Sequence, residues 1–435
     1  MLFLSKYSEW PRRPKWFTWP VISWSLYDLA ETIFSFCVIS QYFAFWVTKE
    51  KGGQDIQYGV AMSVSMIVAA FLQITLSPIS DETGKRKIFV LVFTLIGVAF
   101  TAMIGWADTL NTGLFYFVMA NIGAQCAMVF YNAMLADVAD DRHLARISGI
   151  GTGVGYLGTV VGIFYVSRFA EEGSYDGIFL PVALLYLAFS MPLFLFVKEQ
   201  PGLHRVSFVQ GLRNSWEAFF VTVNRIVRHR EILLFFIAIL IGLEATHTVI
   251  QYMGIYANKV VGFSEVKRSF LGVQVNEINI FFFMVVCFAF VGSFVVGHLG
   301  DKWGHWRMLL VVMGIWVVGL VAGTLNTSKE VFYAVGALIA TGLGGIWTVS
   351  RSFLMAVCHP EEKSQMFAIF GLVNKGAAIF GPLIWGGTVY LLRGSPALQY
   401  RAALFSMALV MLVGLIVMSR VRLEPRPLEV YPPAG

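Results

Sequence analysis

Two short patterns place ionisable side chains inside runs that are otherwise apolar. Ser25-Leu26-Tyr27-Asp28-Leu29-Ala30-Glu31 sets two carboxyls three residues apart, and Glu244 and His247 repeat that step 216 residues later. A three-residue step puts both groups on one helix face. Ionisable groups within lipid-spanning helices are costly, so they mark pathways or relays. Carboxyls sharing a partly dry space compete for protons, and a group that titrates near neutral pH can carry one, as imidazole does unaided. Glu31, Glu244, His247 and Asp28 form the expected proton-coupling set. The same four groups are candidates for binding substrate. The alternative is structural, with Asp28 or Glu31 permanently protonated or paired with Lys375.

Other polar residues extend the candidate substrate site. Asn374-Lys375 lies about 15 Å from the inner end of its run and Glu31 about 18 Å from the inner end of its own, both near mid-bilayer at the helical rise per residue. A buried Lys375 needs either an acidic partner or an anionic substrate group. Asn121 and Gln125 share a face by their four-residue step, and Asn132 follows. They either line a cavity or hydrogen-bond between helices. Tyr27 and Gln251, with Tyr131 and Trp347, complete the candidates. Arg351 lies about 9 Å from the inner end of its run, where a gate salt bridge is favoured over substrate contact. No nucleophile–base constellation, phosphate loop or recurring metal-ligand cluster is visible. The expectation is a protein that is not an enzyme, with no cofactor and no resident metal.

The elements that position these residues are membrane spans. Of 435 residues, 57% are hydrophobic and 13% charged, about half the charge content of a soluble domain. Apolar runs fall near 19–47, 58–79, 88–106, 113–136, 147–167, 177–197, 231–257, 278–299, 308–325, 331–357, 366–391 and 401–419. Most have the length of a spanning helix. The net charge of +6 sits in short clusters between these runs, which argues against nucleic acid as a partner. With the N-terminus inside, 21 Lys and Arg fall on the cytoplasmic side and 9 on the other, so both termini are expected in the cytoplasm. No cleaved signal peptide is expected. Cys37, Cys126, Cys287 and Cys358 form no paired motif.

The chain divides into an N-terminal six-helix bundle (1–197), a cytoplasmic linker (198–230) and a C-terminal six-helix bundle (231–435). In the linker, Phe208, Leu212, Trp216, Phe219, Phe220, Val223 and Ile226 recur at helical spacing, which predicts an amphipathic helix on the inner membrane surface. A glycine run, Gly149 to Gly162, sits inside span five and predicts close helix packing.

The halves echo each other in a loop after spans two and eight. Asp81-Glu82-Thr83-Gly84-Lys85-Arg86-Lys87 and Asp301-Lys302-Trp303-Gly304-His305-Trp306-Arg307 lie 220 residues apart. Both resemble the G-x-x-x-D-x-x-G-[RK] signature of the major facilitator superfamily, with Ser77 where the first glycine of the signature is expected and Gly297 keeping it in the second copy. Asp81, Gly84, Arg86, Asp301, Gly304, Arg307 and Arg351 are the expected gate residues. The fold implied is all-α, with twelve transmembrane helices in two pseudo-symmetric six-helix bundles.

Four blocks narrow the resemblance. Tyr27-Asp28-x-Ala30 with Phe34 is similar to the span-one opening of the Unknown Major Facilitator family, which includes vacuolar amino-acid effluxers of the autophagy-related type. Tyr131-Asn132-Ala133 with Arg146-Ile147-Ser148-Gly149, Glu244 with Thr248-Val249, and Ser350-Arg351-Ser352 with Lys375 and Gly381-Pro382 resemble its later blocks. The sequence departs from that family at Leu29 and Glu31, and the connection 258–277 is long. The resemblance implies a secondary transporter of a small polar or zwitterionic, amino-acid-like solute. The expected partners are that solute, protons and membrane lipid, acting on a monomer in a bacterial cytoplasmic membrane. The alternatives are a carrier for a metal or organic cation that uses the intramembrane acids, and a non-transporting receptor or scaffold of the same fold.

Overall fold

The computed structural model describes residues 18–422 apart from 54, 141, 170–173, 200–207, 264–267, 271–272, 276, 359–361, 378–379 and 393. In the first half, α1 (Trp19–Phe34) continues through a π-helical stretch, Ser35–Tyr42, into the short α2 (Phe43–Phe45) as one span. It is followed by α3 (Asp55–Thr83), α4 (Arg86–Ile104), α5 (Leu110–Ala133) with the single turn α6 (Leu135–Val138), α7 (Leu144–Phe164) and α8 (Asp176–Phe196). The connecting helix α9 (Phe208–Arg228) leads to α10 (Arg230–Tyr256), α11 (Glu277–Trp303), α12 (His305–Leu325) and α13 (Lys329–Val357). The chain ends with α14 (Lys363–Gly376), α15 (Phe380–Leu391) and α16 (Pro396–Ser419).

Among the described residues, 11 helices are long and apolar enough to cross a bilayer. The remaining crossing is the pair α14 and α15, which occupies the run expected as one span at 366–391. Pro382, in the first turn of α15, is compatible with the interruption. It has no N–H to donate, and its ring would clash with the carbonyl four residues earlier. In the first turn of a new helix neither cost arises. The chain is an integral, multi-pass membrane protein of two six-helix halves. The long connection 258–277 carries a small antiparallel hairpin, β1 (Arg268–Phe270) paired with β2 (Val273–Val275).

The outer surface suits lipid. Ile67, Leu195 and Leu383 are each more than 65% exposed. In water such a surface would drive aggregation, whereas in a bilayer it is the expected boundary. Inside the first half, Trp24 and Tyr27 both stack on Tyr131, and Phe43 stacks on Phe117.

The linker helix packs against the protein on one side. Phe219 and Ile226 are buried while Phe220 and Val227 are exposed. On its protein-facing side, Arg225 pairs with Glu362 at 2.8 Å and Thr222 donates to Gln365 Oε1 at 2.8 Å. The side chains of Phe208, Leu212 and Trp216 lie outside the described residues. The end of the bundle that meets α9 is called the linker face below.

The halves meet closely where α7 crosses α11. A Cβ on Gly149 would lie 2.4 Å from the Ser293 carbonyl oxygen and 3.2 Å from Gly297 Cα. The glycines there allow backbone-to-backbone approach. Gly149→Val is expected to wedge the helices apart at the linker face, an overpacking cost of about 1–3 kcal/mol. Alkylation of buried Cys358, followed by peptide mass spectrometry, should then run faster than in the parent protein. An unchanged rate would show that the crossing can absorb the added bulk.

Candidate functional site

At the linker face, each half terminates a helix of the other. Asp81, at the end of α3, accepts the backbone N–H groups of Ser364 (2.8 Å) and Gln365 (3.0 Å), in the first turn of α14. Asp301, at the end of α11, accepts those of Ala145 (2.9 Å) and Arg146 (3.2 Å), in the first turn of α7. A carboxylate there satisfies donors that lack a helical partner and meets the positive end of the helix dipole. Arg86 locks the first cap by bonding Asp81 at 3.2 Å and Ser364 Oγ at 3.3 Å. In the second copy the residue five beyond the aspartate is Trp306, and Arg146 approaches Asp301 instead, at 3.7 Å. Gly84 (φ +66°) and Gly304 (φ +92°) hold a left-handed backbone in both loops, which a side chain would strain. Arg307 is exposed and makes no such bond among the described residues.

One layer deeper lies a buried network centred on Arg351 of α13. Its guanidinium forms a two-point pair with Asp28 of α1, at 3.2 and 2.9 Å. It also donates to Asn132 Oδ1 (3.1 Å), Ser148 Oγ (3.2 Å), the Ser148 carbonyl (3.1 Å) and Thr152 Oγ1 (2.7 Å). The face of Trp24 covers it at 5.3 Å. Every one of these acceptors belongs to the first half. Asp28 is therefore paired with Arg351; Lys375, the partner considered in the alternative reading, has its side chain outside the described residues. These two layers carry hydrogen bonds and ion pairs that cross between the halves.

Above this floor, between the halves, is a cavity of about 430 Å³. Asp28, Glu31, Thr32 and Ser35 line it from span one, Gln73 from α3, Gln125 and Asn132 from α5, and Thr152 and Tyr156 from α7. Trp347 and Arg351 line it from α13, and Phe367, Phe370 and Asn374 from α14. Glu31 accepts a hydrogen bond from Ser35 at 2.6 Å, just where span one turns π-helical. It makes no ion pair among the described residues. The Asn374 side-chain oxygen is buried and unpartnered.

Several expected site residues lie elsewhere. Tyr27 points into its own bundle and shares a 2.6 Å hydrogen bond with Thr94. Asn121 turns toward α3, donating to Ser65 Oγ at 2.7 Å. Gln251 is exposed on α10. Glu244 accepts the N–H groups of Phe380 (3.1 Å) and Gly381, the donors that the interruption before α15 leaves without carbonyls. His247 stacks on Trp347 at 5.8 Å and sits beside the Ala377 backbone. Glu31 thus faces open space, while Glu244 and His247 brace the broken span. Gln73, Thr152 and Tyr156 were not among the sequence candidates. Gln73 carried a usable signal, as an amide inside an apolar run, but Thr152 and Tyr156 are common residues in membrane helices.

A family model described as "Vacuole effluxer Atg22 like" matches residues 58–426. The chain is 27% identical over 427 residues to an uncharacterized MFS-type transporter, YxiO, of Bacillus subtilis, covering 93% of this chain and 95% of that protein. The fold is shared with the human organic anion transporter MFSD10, at a TM-score of 0.72 and 12% identity, over 93% of this chain and 100% of that one. It is also shared with a bacterial homologue of the iron transporter ferroportin in an outward-facing state, at 0.68 and 13%, over 94% and 99%.

The Arg351 network yields a double-mutant test. Removing one member of a buried ion pair strands its partner, at a cost of about 3–5 kcal/mol. Arg351→Met is expected to lower the melting temperature strongly, and adding Asp28→Asn should restore much of it. Additive losses in thermal unfolding would show that the two side chains are not coupled.

Proposed function

Because this chain belongs to the Atg22-like vacuole effluxer family of major facilitator transporters, we propose that it is a proton-coupled secondary carrier, working by alternating access, for a small polar solute that bears an amino group. The observation that carries this is Glu31. Asp28 is already neutralised by Arg351, so Glu31 is the acid left facing the cavity without a cation among the described residues. A desolvated carboxylate seeks a counter-charge. A proton or a substrate ammonium supplies one, and each excludes the other. One carboxyl shared in this way supports exchange, with solute leaving as a proton enters.

The remaining lining suits such a solute. Trp347, Phe367 and Phe370 offer aromatic faces to a cation. Gln73, Gln125, Asn132 and Asn374 offer amides to a carboxylate or hydroxyl, and the family's amino-acid branch fits this pattern. An organic cation meets the same chemistry. A divalent metal fits less well, because the described residues bring no three His, Cys, Asp or Glu side chains together.

The bias of 21 to 9 basic residues supports placing the linker face in the cytoplasm of a bacterial cell, with both termini there. The two bonded layers at that face then act as the inner gate, built from Asp81, Gly84, Arg86, Asp301, Gly304 and Arg351, and they correspond to the outward-facing member of the cycle. Glu244 and His247 hold the interrupted span against α10, one step removed from the coupling carboxyl.

Flux in proteoliposomes under an imposed pH gradient tests the assignment, with a thermal-shift screen against amino acids and organic amines choosing the solute. Glu31→Gln is expected to abolish gradient-driven accumulation while leaving the protein folded. Glu244→Gln is expected to lower the melting temperature and keep the pH response. Proton-driven accumulation surviving unchanged in Glu31→Gln would overturn the role given to this carboxyl.

A further inference from the structure

A second cavity, of about 410 Å³, lies at the linker face of the second half, where α11 turns into α12 and where α13 and α16 end. Trp303, His305, Trp306, Arg307, Phe353 and Arg422 form most of its wall. Two of these are fixed in place. Trp306 Nε1 donates to the Met418 carbonyl at 3.0 Å, and His305 Nδ1 lies 3.2 Å from Ser352 Oγ. The two arginines are not fixed. Both are exposed, and neither guanidinium has a partner among the described residues. Glu231 accepts the Arg422 backbone N–H at 2.6 Å.

The first half supplies a comparison. Its matching helix, α4, begins with Arg86 and Lys87. The Lys87 N–H donates to the Glu199 carboxylate and its Nζ donates to the Val197 carbonyl at 2.7 Å. There an acid of the following linker meets the basic helix start. The start of α12, like that of α4, has no acid in its first turn and no capping side chain; what differs is that the two guanidiniums beside it have no partner among the described residues.

We propose that this groove binds the phosphate headgroup of an anionic phospholipid from the leaflet at the linker face. Guanidinium is suited to phosphate by its paired donors. The depth favours a lipid over a soluble anion. The site lies at the ends of the spans His305–Leu325, Lys329–Val357 and Leu398–Ser419, at headgroup level. The indoles, Phe353 and Val357 offer apolar walls to the glycerol and upper acyl segments. A lipid held there ties together the ends of three spans that belong to one half.

Native mass spectrometry of the full-length protein released from detergent, after incubation with phosphatidylglycerol or phosphatidylcholine, counts bound lipid. Thermal unfolding in the same mixtures gives a second readout. The wild type is expected to retain phosphatidylglycerol over phosphatidylcholine and to melt several degrees higher with it. R307Q/R422Q should lose that preference, R307K/R422K should keep part of it, and K198Q, a charge loss elsewhere on the linker face, should match the wild type. Equal phosphatidylglycerol retention by R307Q/R422Q and wild type would overturn the site. Stabilisation by millimolar inorganic phosphate equal to that by the lipid would overturn the lipid assignment in favour of a soluble anion.

Discussion

A guanidinium buried between two helical bundles must be surrounded by acceptors, and the arrangement of the linker face follows from that requirement. Arg351 has five N–H groups in a fixed fork. Asp28, Asn132, Ser148 and Thr152 take them, and all four stand on the opposite half. To gather those acceptors, α1, α5 and α7 must converge on α13 within a few ångströms. The glycines of α7 permit that convergence on both sides: a Cβ on Gly151 would strike Trp24 and Asp28, and one on Gly149 would strike α11. If the halves part at this face, the network has to be replaced by water or by another partner. A buried charge does not allow an intermediate state in which it stands alone.

The internal repeat supplies the outer layer and also shows where symmetry gives way. Asp81 and Asp301 close equivalent helix starts, and the donors they accept, Ser364 and Gln365 against Ala145 and Arg146, are related by 219 residues. Backbone donors make this possible, because a cap depends on the helix start rather than on the side chains there. The side chains diverge freely. Arg86 guards one aspartate from its own loop, whereas Arg146 guards the other from the partner half. The inner layer is asymmetric outright. Asn132, 219 residues before Arg351, serves as one of its acceptors.

Much of this was legible in sequence because it is written in one dimension. Span length and the repeated Asp-x-x-Gly loops are local patterns, and the placement of Arg351 near a span end already pointed to a salt bridge there. What escaped was set by register between helices. The partner of Asp28 lies 323 residues away, and nothing local distinguishes Arg351 from Lys375 as that partner. Glu244 looked like a relay because a carboxylate in an apolar run has no visible neighbour. Its partners are two backbone N–H groups, which carry no sequence signature. Even the interruption that exposes them was ambiguous, since Pro78 sits within α3 without ending it and Pro382 sits where one helix has already ended.

The docking of α9 has a consequence for how solute is met from the two sides. Thr222 and Arg225 reach the same first turn of α14 that Asp81 caps, so the covalent bridge between the halves also serves as a clasp. In the alternating-access cycle proposed above, the caps and the Arg351 network have to be released before the cavity faces the linker side. On that proposal these bonds weigh against the conformer open at the linker side. Apparent affinity falls in proportion to the scarcity of the state that binds. On the proposed cycle, the closures at one end therefore bias the affinity that the same cavity presents to the two compartments.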